Sequence, residues 1–229
     1  MKEFLYLGFG GVVAQCEWVF WEAVGLLVGS LGVVSLSVHT IPNQTIMTFC
    51  MIPFSFGIAL AIRMGISLPI SVKRTKILVI FVLFFSMVVF GLVSIGVYIY
   101  RRSIVALFTS NQEVQELAEL IFVKVALFNF NIAIFAILAG IATGLGKQWL
   151  LGIINFIFLW IFGLPIIYYK SIVCDGGLNA VWYWMNIPYL GMNITLCILF
   201  SYLDWYKIQK QIINNENNNN NNEEEVEEE

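Results

Sequence analysis

The sequence predicts an all-α integral membrane protein built as a bundle of six transmembrane helices. Hydrophobic residues make up 59% of the chain and charged residues only 12%, whereas soluble domains are about 25% charged. The mean hydropathy is +0.83. Six stretches are apolar over the roughly 20 residues that a helix needs to cross a bilayer.

The six spans are expected near residues 4–31, 35–62, 77–100, 114–143, 147–170 and 178–204. Short polar segments separate them. In "TSNQEVQEL" (109–117), Ser110 precedes Glu113 by three positions, a capping-box pattern that starts a helix. The glycines of "GLGKQ" (144–148) favour the end of one helix and the start of another. Kinks are expected at the prolines inside the spans, Pro42, Pro53, Pro165 and Pro188.

Two regions follow from this pattern, a six-helix transmembrane bundle over residues 1–206 and an Asn/Glu-rich cytoplasmic tail over residues 207–229. The tail contains "NNENNNNNNEEEVEEE" and is too polar to bury a core, so we expect it to be disordered. Residues 205–229 hold seven of the fifteen acids and two of the twelve bases, which accounts for the net charge of −3. No basic patch indicates a nucleic-acid partner.

The basic residues also predict the orientation. With six spans the two ends of the chain share one side of the membrane, and that side collects eight basic residues against three in the opposite loops. Basic loops stay in the cytoplasm, so both ends are expected there. We expect a multi-pass membrane protein that is located in the plasma membrane or in a vacuolar or endosomal membrane.

No motif in the sequence is typical of an enzyme. The cysteines at 16, 50, 174 and 197 lack the spacing of metal ligands, and no nucleophile elbow, phosphate loop or zinc motif occurs. His39 stands alone in an apolar helix, where a histidine is more often structural than a ligand. We therefore predict no enzymatic activity, no cofactor and no metal site.

Two glutamates, Glu17 and Glu22, lie inside the first span. An ionisable group near the bilayer centre costs roughly 2.5–3.5 kcal/mol, so neither is expected to face lipid. Five positions turn a helix by about 140°, so the two flank one cavity from different sides or only one reaches it. Either neighbouring helices satisfy them by hydrogen bonds, or a proton and an organic cation compete for a carboxylate. Trp18 and Trp21 beside them either pack or add cation–π attraction.

Six motifs in collinear order carry a family resemblance. Residues 3–32, with "CEW" and "WE", resemble the seventh helix of eukaryotic MATE proteins, the multidrug and toxin extrusion antiporters, with its "CLEWW" and "FE". "FCMIPFSFGIALAIRMG" (49–65), "ALFTSNQEV" (106–114) and "LAGIATGLGKQ" (138–148) are similar to the family's "MIPxGxSxAxSxRVG", "LFTSDPEV" and "LSGVLRGxGRQ". "GLP" (163–165) and "LDW" (203–205) complete the set.

The resemblance implies one six-helix lobe of a two-lobed transporter whose central cavity opens alternately to each side. It also implies export of organic cations and xenobiotics by antiport in exchange for protons or sodium, of which the eukaryotic branch resembled here mainly uses protons. Glu17 and Glu22 fall on the acidic positions of the family's seventh helix. Gln44 and Ile132, the latter beside Asn131, stand where the family has further acids. The candidate cavity-lining residues are Trp18, Trp21, Gln44 and Asn131.

Lys124 departs from the expected pattern, because it lies inside the fourth span where an apolar residue is expected. Its long side chain either reaches the outer interface or pairs with Glu17 or Glu22.

The leading function is xenobiotic or organic-cation export by proton-coupled antiport, carried out by a half-transporter. Its expected partners are the substrate, protons, the lipid bilayer, and either a second copy of the chain in a homodimer or a separately encoded N-terminal lobe. The alternative is a non-transporting membrane subunit or a truncated remnant of a MATE protein. A lipid flippase of the wider superfamily is a third reading, against which the "CEW…WE" pattern argues.

Overall fold

The structure, a computed structural model, describes residues 8–13 and 15–214. All regular secondary structure in this part of the chain is helical, which confirms the all-α class. The helices are α1 (Cys16–Gly29), α2 (Val33–Ile70), α3 (Val72–Ile99), α4 (Arg101–Phe108), α5 (Gln112–Gly144), α6 (Gln148–Val173), α7 (Gly177–Tyr202) and α8 (Trp205–Asn214).

Five helical stretches correspond to predicted spans, and a sixth does so if one bent pair of helices is counted as a single span. Four of them, α2, α3, α5 and α6, are each long and apolar enough to cross a membrane, and so is the stretch Gly8–Gly29 that contains α1. The sixth candidate is the pair α7 and α8, which is apolar enough only when the two helices are taken together and which bends by 72° between them. Helix α2 runs to Ile70 rather than ending near residue 62, and α3 begins at Val72 rather than near residue 77.

Helix α5 lies at the centre of the bundle and packs against α2, α3 and α7. Its sequence is apolar on all sides from Ile132 to Ala142, which is typical of a helix with neighbours all round. Helices α2 and α5 cross closely at Gly57 and Gly140. A Cβ atom on Gly140 would overlap the backbone of Gly57, and one on Gly57 would overlap the Ala136 carbonyl. Small residues permit such close approach between membrane helices.

The helix ends follow the expected chemistry with one difference. Asn111, not Ser110, caps α5, because its Oδ1 accepts from the backbone N–H groups of Glu113 (3.0 Å) and Val114 (3.4 Å). The predicted break at "GLGKQ" is present, since α5 ends at Gly144 and Gly146 adopts a φ of +67° before α6 begins.

The prolines lie inside continuous helices. Pro42 and Pro53 fall within α2, together with Pro69 near its end, and Pro188 falls within α7. In α6, Pro165 follows a π-helical stretch at Phe156–Gly163 and precedes a second one at Tyr169–Val173. Local π-helical turns are one way in which a membrane helix re-pairs the backbone groups that a proline frees.

Helix α8 changes the predicted boundary of the tail. Residues 207–214 were expected to be disordered, but they are helical. Asp204 starts α8 by accepting from the N–H groups of Tyr206 (3.1 Å) and Lys207 (3.2 Å), and Trp205 and Ile208 are buried. The end of the transmembrane bundle therefore provides an apolar surface on which α8 packs. The polar composition of the tail did not indicate this contact. The remaining tail, residues 215–229, lies outside the described residues.

The bundle has one basic end. Helix α8 docks there, since Gln209 Nε2 donates to the carbonyl of Pro69 at the end of α2 (2.9 Å) and Lys76 Nζ lies 5.6 Å from the ring centre of Trp205. The alternation of the spans brings the α2–α3 and α5–α6 turns to this same end. The described basic residues at this end are Arg63, Lys73, Arg74, Lys76, Lys147, Lys207 and Lys210.

Candidate functional site

The carboxyl group of Glu17 is held by a residue from the far end of the sequence. The Tyr189 hydroxyl on α7 donates to Glu17 Oε1 at 2.7 Å. The same hydroxyl accepts from Trp21 Nε1 at 2.8 Å. All three side chains are buried. Because Trp21 follows Glu17 by four positions, both lie on the same face of α1, the face that meets α7.

Aromatic rings from α5 fix Tyr189 in place. The Phe128 ring packs edge-on against Tyr189, with centroids 4.8 Å apart, and against Trp21 at 5.2 Å. Phe135 packs edge-on on Tyr189 at 5.6 Å. Edge-to-face pairs of this kind add to the stability that area burial provides. The hydroxyl of Tyr189 is thus pointed at Glu17 by packing from the central helix.

A pocket of about 620 Å³ lies beside this carboxyl group, between α1, α2, α5 and α6. Trp18 forms part of its wall, with its ring centre 5.6 Å from that of Phe54 on α2. Gln148 Oε1 is buried and has no hydrogen-bond partner among the described residues. Residues that line the pocket include Glu17, Trp18, Phe54, Phe135, Gln148 and Asn155. The pocket therefore combines one carboxyl group with aromatic and amide side chains, a set that suits an organic cation.

The two glutamates occupy different environments. Glu17 is buried, with 4% of its surface exposed, and lines the pocket. Glu22 is exposed on the opposite side of α1 and is not part of the pocket wall. Of the two arrangements that the spacing allowed, the structure has the one in which a single glutamate reaches this pocket.

The other candidate residues are also separated. Trp18 lines the pocket, while Trp21 lies behind it as the donor to Tyr189. Neither Gln44 nor Asn131 belongs to the pocket wall. Gln44 is exposed on the surface of α2, and Asn131 is buried in the contact between α5 and α7.

Asn131 belongs to a set of buried amides that joins α5 to α7. Its Nδ2 donates to Asn186 Oδ1 at 3.0 Å, and its carbonyl accepts from Asn193 Nδ2 at 2.9 Å. Asn186 Nδ2 in turn donates to the carbonyls of Lys124 and Trp182. These bonds satisfy polar groups that would be costly in hydrocarbon, so the amides fix the register of the two helices.

Tyr189, Asn186 and Asn193 were not among the residues predicted from the sequence. All three lie on α7 at intervals of three and four positions, so they share one face of an otherwise apolar helix. That periodicity is the signal that could have found them. It indicates a face turned towards protein, but it does not identify Glu17 as the partner of Tyr189.

Lys124 does not pair with either glutamate. Its Nζ donates to Asn179 Oδ1 at the start of α7, at 2.6 Å, and it forms no salt bridge within the described part of the chain. The lysine thus extends towards the end of the bundle opposite α8, as expected for a side chain that reaches the outer interface. His39, the lone histidine, is buried against the Trp182 ring with centroids 5.3 Å apart.

Comparison with known proteins decides the family. The family model described as MatE matches residues 12–169, well over half of the chain. The chain belongs to the MatE family. The matched segment contains Glu17, Glu22 and Asn131 but ends before α7, so the hydrogen-bond donor Tyr189 lies outside it.

Relatives of the chain include proteins of animals and bacteria. The chain is 27% identical over 207 residues to Multidrug and toxin extrusion protein 2 of Oryctolagus cuniculus. The matched region covers 88% of this chain and 34% of that protein. It is also 27% identical over 220 residues to the probable multidrug resistance protein NorM of Mannheimia succiniciproducens, covering 92% of this chain and 46% of that protein. The chain spans about a third to a half of the length of these relatives.

Solved MATE structures share the fold. The eukaryotic MATE transporter AtDTX14 superposes with a TM-score of 0.85 at 23% identity, covering 92% of this chain and 48% of that one. The Vibrio cholerae MATE transporter VcmN gives 0.83 at 14% identity, covering 89% and 47%. The six-helix bundle of this MatE protein therefore has the architecture of about half of a MATE transporter.

Proposed function

We propose that this chain forms one lobe of a membrane transporter that exports organic cations in exchange for protons, and that the two compete at Glu17. The observation that carries the proposal is the placement of the Glu17 carboxyl group in the wall of an aromatic pocket. Among the described residues its only hydrogen-bond donor is the Tyr189 hydroxyl, and no lysine, arginine or histidine of this part of the chain lies within 4.0 Å of it. The extrusion and resistance functions in the names of the relatives support this reading.

Competition at one carboxyl group needs two states that are both tolerated by the surroundings. With a proton bound, Glu17 is neutral and compatible with its buried position. Without the proton it is an anion that a cation in the pocket can neutralise, and the Trp18 and Phe54 rings add attraction to that cation. The Tyr189 hydroxyl can donate to Oε1 in both states, because the proton can reside on Oε2. A cation and a proton therefore cannot bind to the Glu17 carboxyl group at the same time.

The chemistry around Glu17 favours a proton over a metal ion as the coupling ion. Hard metal cations need several oxygen ligands arranged around them. Glu17 is the one carboxylate in the wall of this pocket, and no group of three or more His, Cys, Asp or Glu side chains that could hold a metal ion occurs among the described residues. A proton needs only one oxygen atom.

The polar residues on the exposed face of α2 favour the presence of a partner that covers this face. Gln44 is exposed there in the same stripe as the hydroxyl residues Thr40 and Thr48. The hydroxyls of Thr40 and Thr48 donate back to their own helix, at 2.9 Å each, but an exposed amide is costly in hydrocarbon. We propose that this face meets a second lobe across the transport cavity, either a second copy of the chain or a separate N-terminal lobe.

Proton-coupled export requires a membrane that maintains a proton gradient. The plasma membrane and the vacuolar or endosomal membranes meet this requirement, and we propose that the protein works in one of them.

Reconstitution tests the function directly. The purified chain is placed in liposomes with an acidic interior, and uptake of a fluorescent organic cation is followed with and without the pH gradient. We expect gradient-driven uptake by the wild type, none by Glu17→Gln, and retained uptake by Glu22→Gln, because only Glu17 reaches the pocket. Gradient-driven uptake by Glu17→Gln would overturn the proposal.

The mass of the complex tests the second lobe. Native mass spectrometry of the same sample in mild detergent should give a dimer if a second copy covers α2, and Gln44→Trp should weaken that dimer. A transport-competent monomer would contradict the covered face. An inert monomer with a bound cation would point to the non-transporting subunit.

A further inference from the structure

A second pocket, distinct from the one beside Glu17, lies at the end of the bundle opposite α8. It has a volume of about 460 Å³ and is formed where the start of α2, the first half of α5 and the start of α7 meet. Its wall has a polar part and an apolar part. The polar side chains are Ser35, Lys124 and Asn179, and the apolar ones include Val38, Ile121 and Leu178.

Lys124 gives this pocket an uncompensated positive charge. Its ammonium group has three N–H donors, of which one is directed at Asn179 Oδ1, 2.6 Å away. No carboxylate in the described residues lies within 4.0 Å of it. Asp175, the acid in the adjacent loop, is exposed and forms no salt bridge with it. A cation in a membrane helix normally has a partner, so the missing anion points to a ligand.

The surrounding contacts hold Lys124 in place. The Asn186 side chain donates to the Lys124 carbonyl at 3.2 Å, and Asn179 accepts from the ammonium group. Both the backbone carbonyl and the ammonium group of Lys124 are therefore hydrogen-bonded to residues of α7. Because Asn179 uses its Oδ1 for the lysine, its Nδ2 group remains to donate, and the Ser35 hydroxyl lies in the same wall. An anion at this position would meet three donors from three helices.

We propose that this pocket binds a phosphate group at Lys124, with the phosphate of an anionic membrane lipid as its source. A charge-assisted hydrogen bond from the ammonium group recognises the phosphate oxygen. The apolar wall formed by Val38, Ile121 and Leu178 suits the acyl chain that is attached to a lipid phosphate but absent from free phosphate. This site is independent of the function proposed for Glu17.

Lipid titration tests the proposal. The full chain is delipidated in detergent and titrated with short-chain phosphatidylglycerol, short-chain phosphatidylcholine or inorganic phosphate, with bound ligand counted by native mass spectrometry. We expect phosphatidylglycerol to bind, and Lys124→Gln to weaken it by about tenfold or more, the size expected for loss of a hydrogen bond between charged groups. Lys124→Arg should retain binding.

Lys170 provides a matched control. It is a lysine at the same end of the bundle, near the Tyr169 and Trp184 rings, and it does not line the pocket. Lys170→Gln should leave phosphatidylglycerol binding unchanged. If Lys124→Gln fails to fold, Leu120→Trp tests the same pocket by filling it, because Leu120 lines the pocket and its side chain is 69% exposed.

The outcomes separate the two sources of phosphate. Binding of phosphatidylglycerol that depends on Lys124, without competition from inorganic phosphate, supports the lipid site. Displacement of the lipid by millimolar inorganic phosphate would overturn the lipid as source and assign the site to a soluble phosphate. Equal binding by wild type, Lys124→Gln and Leu120→Trp would overturn the site itself.

Discussion

The hydroxyl of Tyr189 donates to Glu17 Oε1 at 2.7 Å, although the two residues are separated by 172 positions in the sequence. This bond joins the first and the last transmembrane helix of the bundle. Among the described residues this hydroxyl is the only hydrogen-bond donor to the Glu17 carboxyl group, and it lies on α7, beyond the segment that the family model matches. The candidate site therefore depends on how α1 and α7 pack.

Replacing Glu17 should remove the pH dependence of cation binding. Glu17→Gln keeps the size of the side chain and an oxygen for Tyr189 but cannot gain or lose a proton, so we expect a cationic dye to bind weakly and equally at pH 6 and pH 8. Glu22→Gln is the matched control and should bind less tightly by no more than a small factor, because Glu22 is exposed away from the pocket. Dye fluorescence polarisation in detergent measures both. Equal losses from the two variants would contradict the assignment.

Tyr189→Phe should weaken both the bundle and cation binding. The change leaves Trp21 Nε1 and the Glu17 carboxyl group buried without their common partner, at a cost of about 1–3 kcal/mol. We expect a lower thermal unfolding temperature and cation affinity reduced by about tenfold, equivalent to 1.4 kcal/mol. Tyr183→Phe on the exposed side of α7 is the control. Unchanged stability in Tyr189→Phe would show that the bond contributes nothing.

The crossing of α2 and α5 should not accept a methyl group. Gly140→Ala would place its Cβ against the Gly57 backbone, which cannot move aside as a side chain can. Overpacking of this kind costs about 1–3 kcal/mol or more, so we expect a lower unfolding temperature and less folded protein. Gly65→Ala in α2, with no atom within 4 Å of the added Cβ, should be neutral or slightly stabilising. Similar losses in both variants would argue against a close crossing.

His39→Phe should leave the stability of the bundle unchanged or raise it. The imidazole is buried against Trp182 with its Nδ1 atom unpaired among the described residues, and such an atom costs about 1–3 kcal/mol. A phenyl ring keeps the contact with Trp182 and removes that atom. His39→Ala, which leaves a cavity instead, should destabilise by roughly 2–5 kcal/mol. Thermal unfolding followed by tryptophan fluorescence compares the two, and a large loss from His39→Phe would mean that the imidazole has a polar role.

The orientation of the chain can be tested by cysteine labelling. Cys174 is exposed in the turn between α6 and α7, at the end opposite α8. We expect a membrane-impermeant maleimide, added to intact cells or to vesicles with the outer face exposed, to label Cys174. In a second variant that combines Cys174→Ser with Lys73→Cys, the same reagent should not label position 73. Lys73 is exposed at the basic end, which is predicted to be cytoplasmic. The reverse labelling pattern would invert the topology.

The sequence by itself determined the class of the protein and the approximate positions of its spans. Runs of about 20 apolar residues are stable across a bilayer only as helices, because every backbone group must be paired within the segment. This pairing lies within each helix, so it depends on no neighbouring helix. The predicted ends were less accurate where a helix continues past its expected span, as at Ile70, and where Trp205 and Ile208 bury one face of α8 in the otherwise polar region after the last span.

Only the tertiary structure decided which polar residues meet. The spacing of Glu17 and Glu22 showed that they point in different directions, but which one faces protein depends on where α7 and the central helix lie. Tyr189 is 172 positions from Glu17, and no local pattern specifies that pairing. In the same way, Asn131 binds Asn186 rather than lining the pocket. Helix packing in lipid is set by shape and by the pairing of polar groups between helices, and both are properties of the assembled bundle.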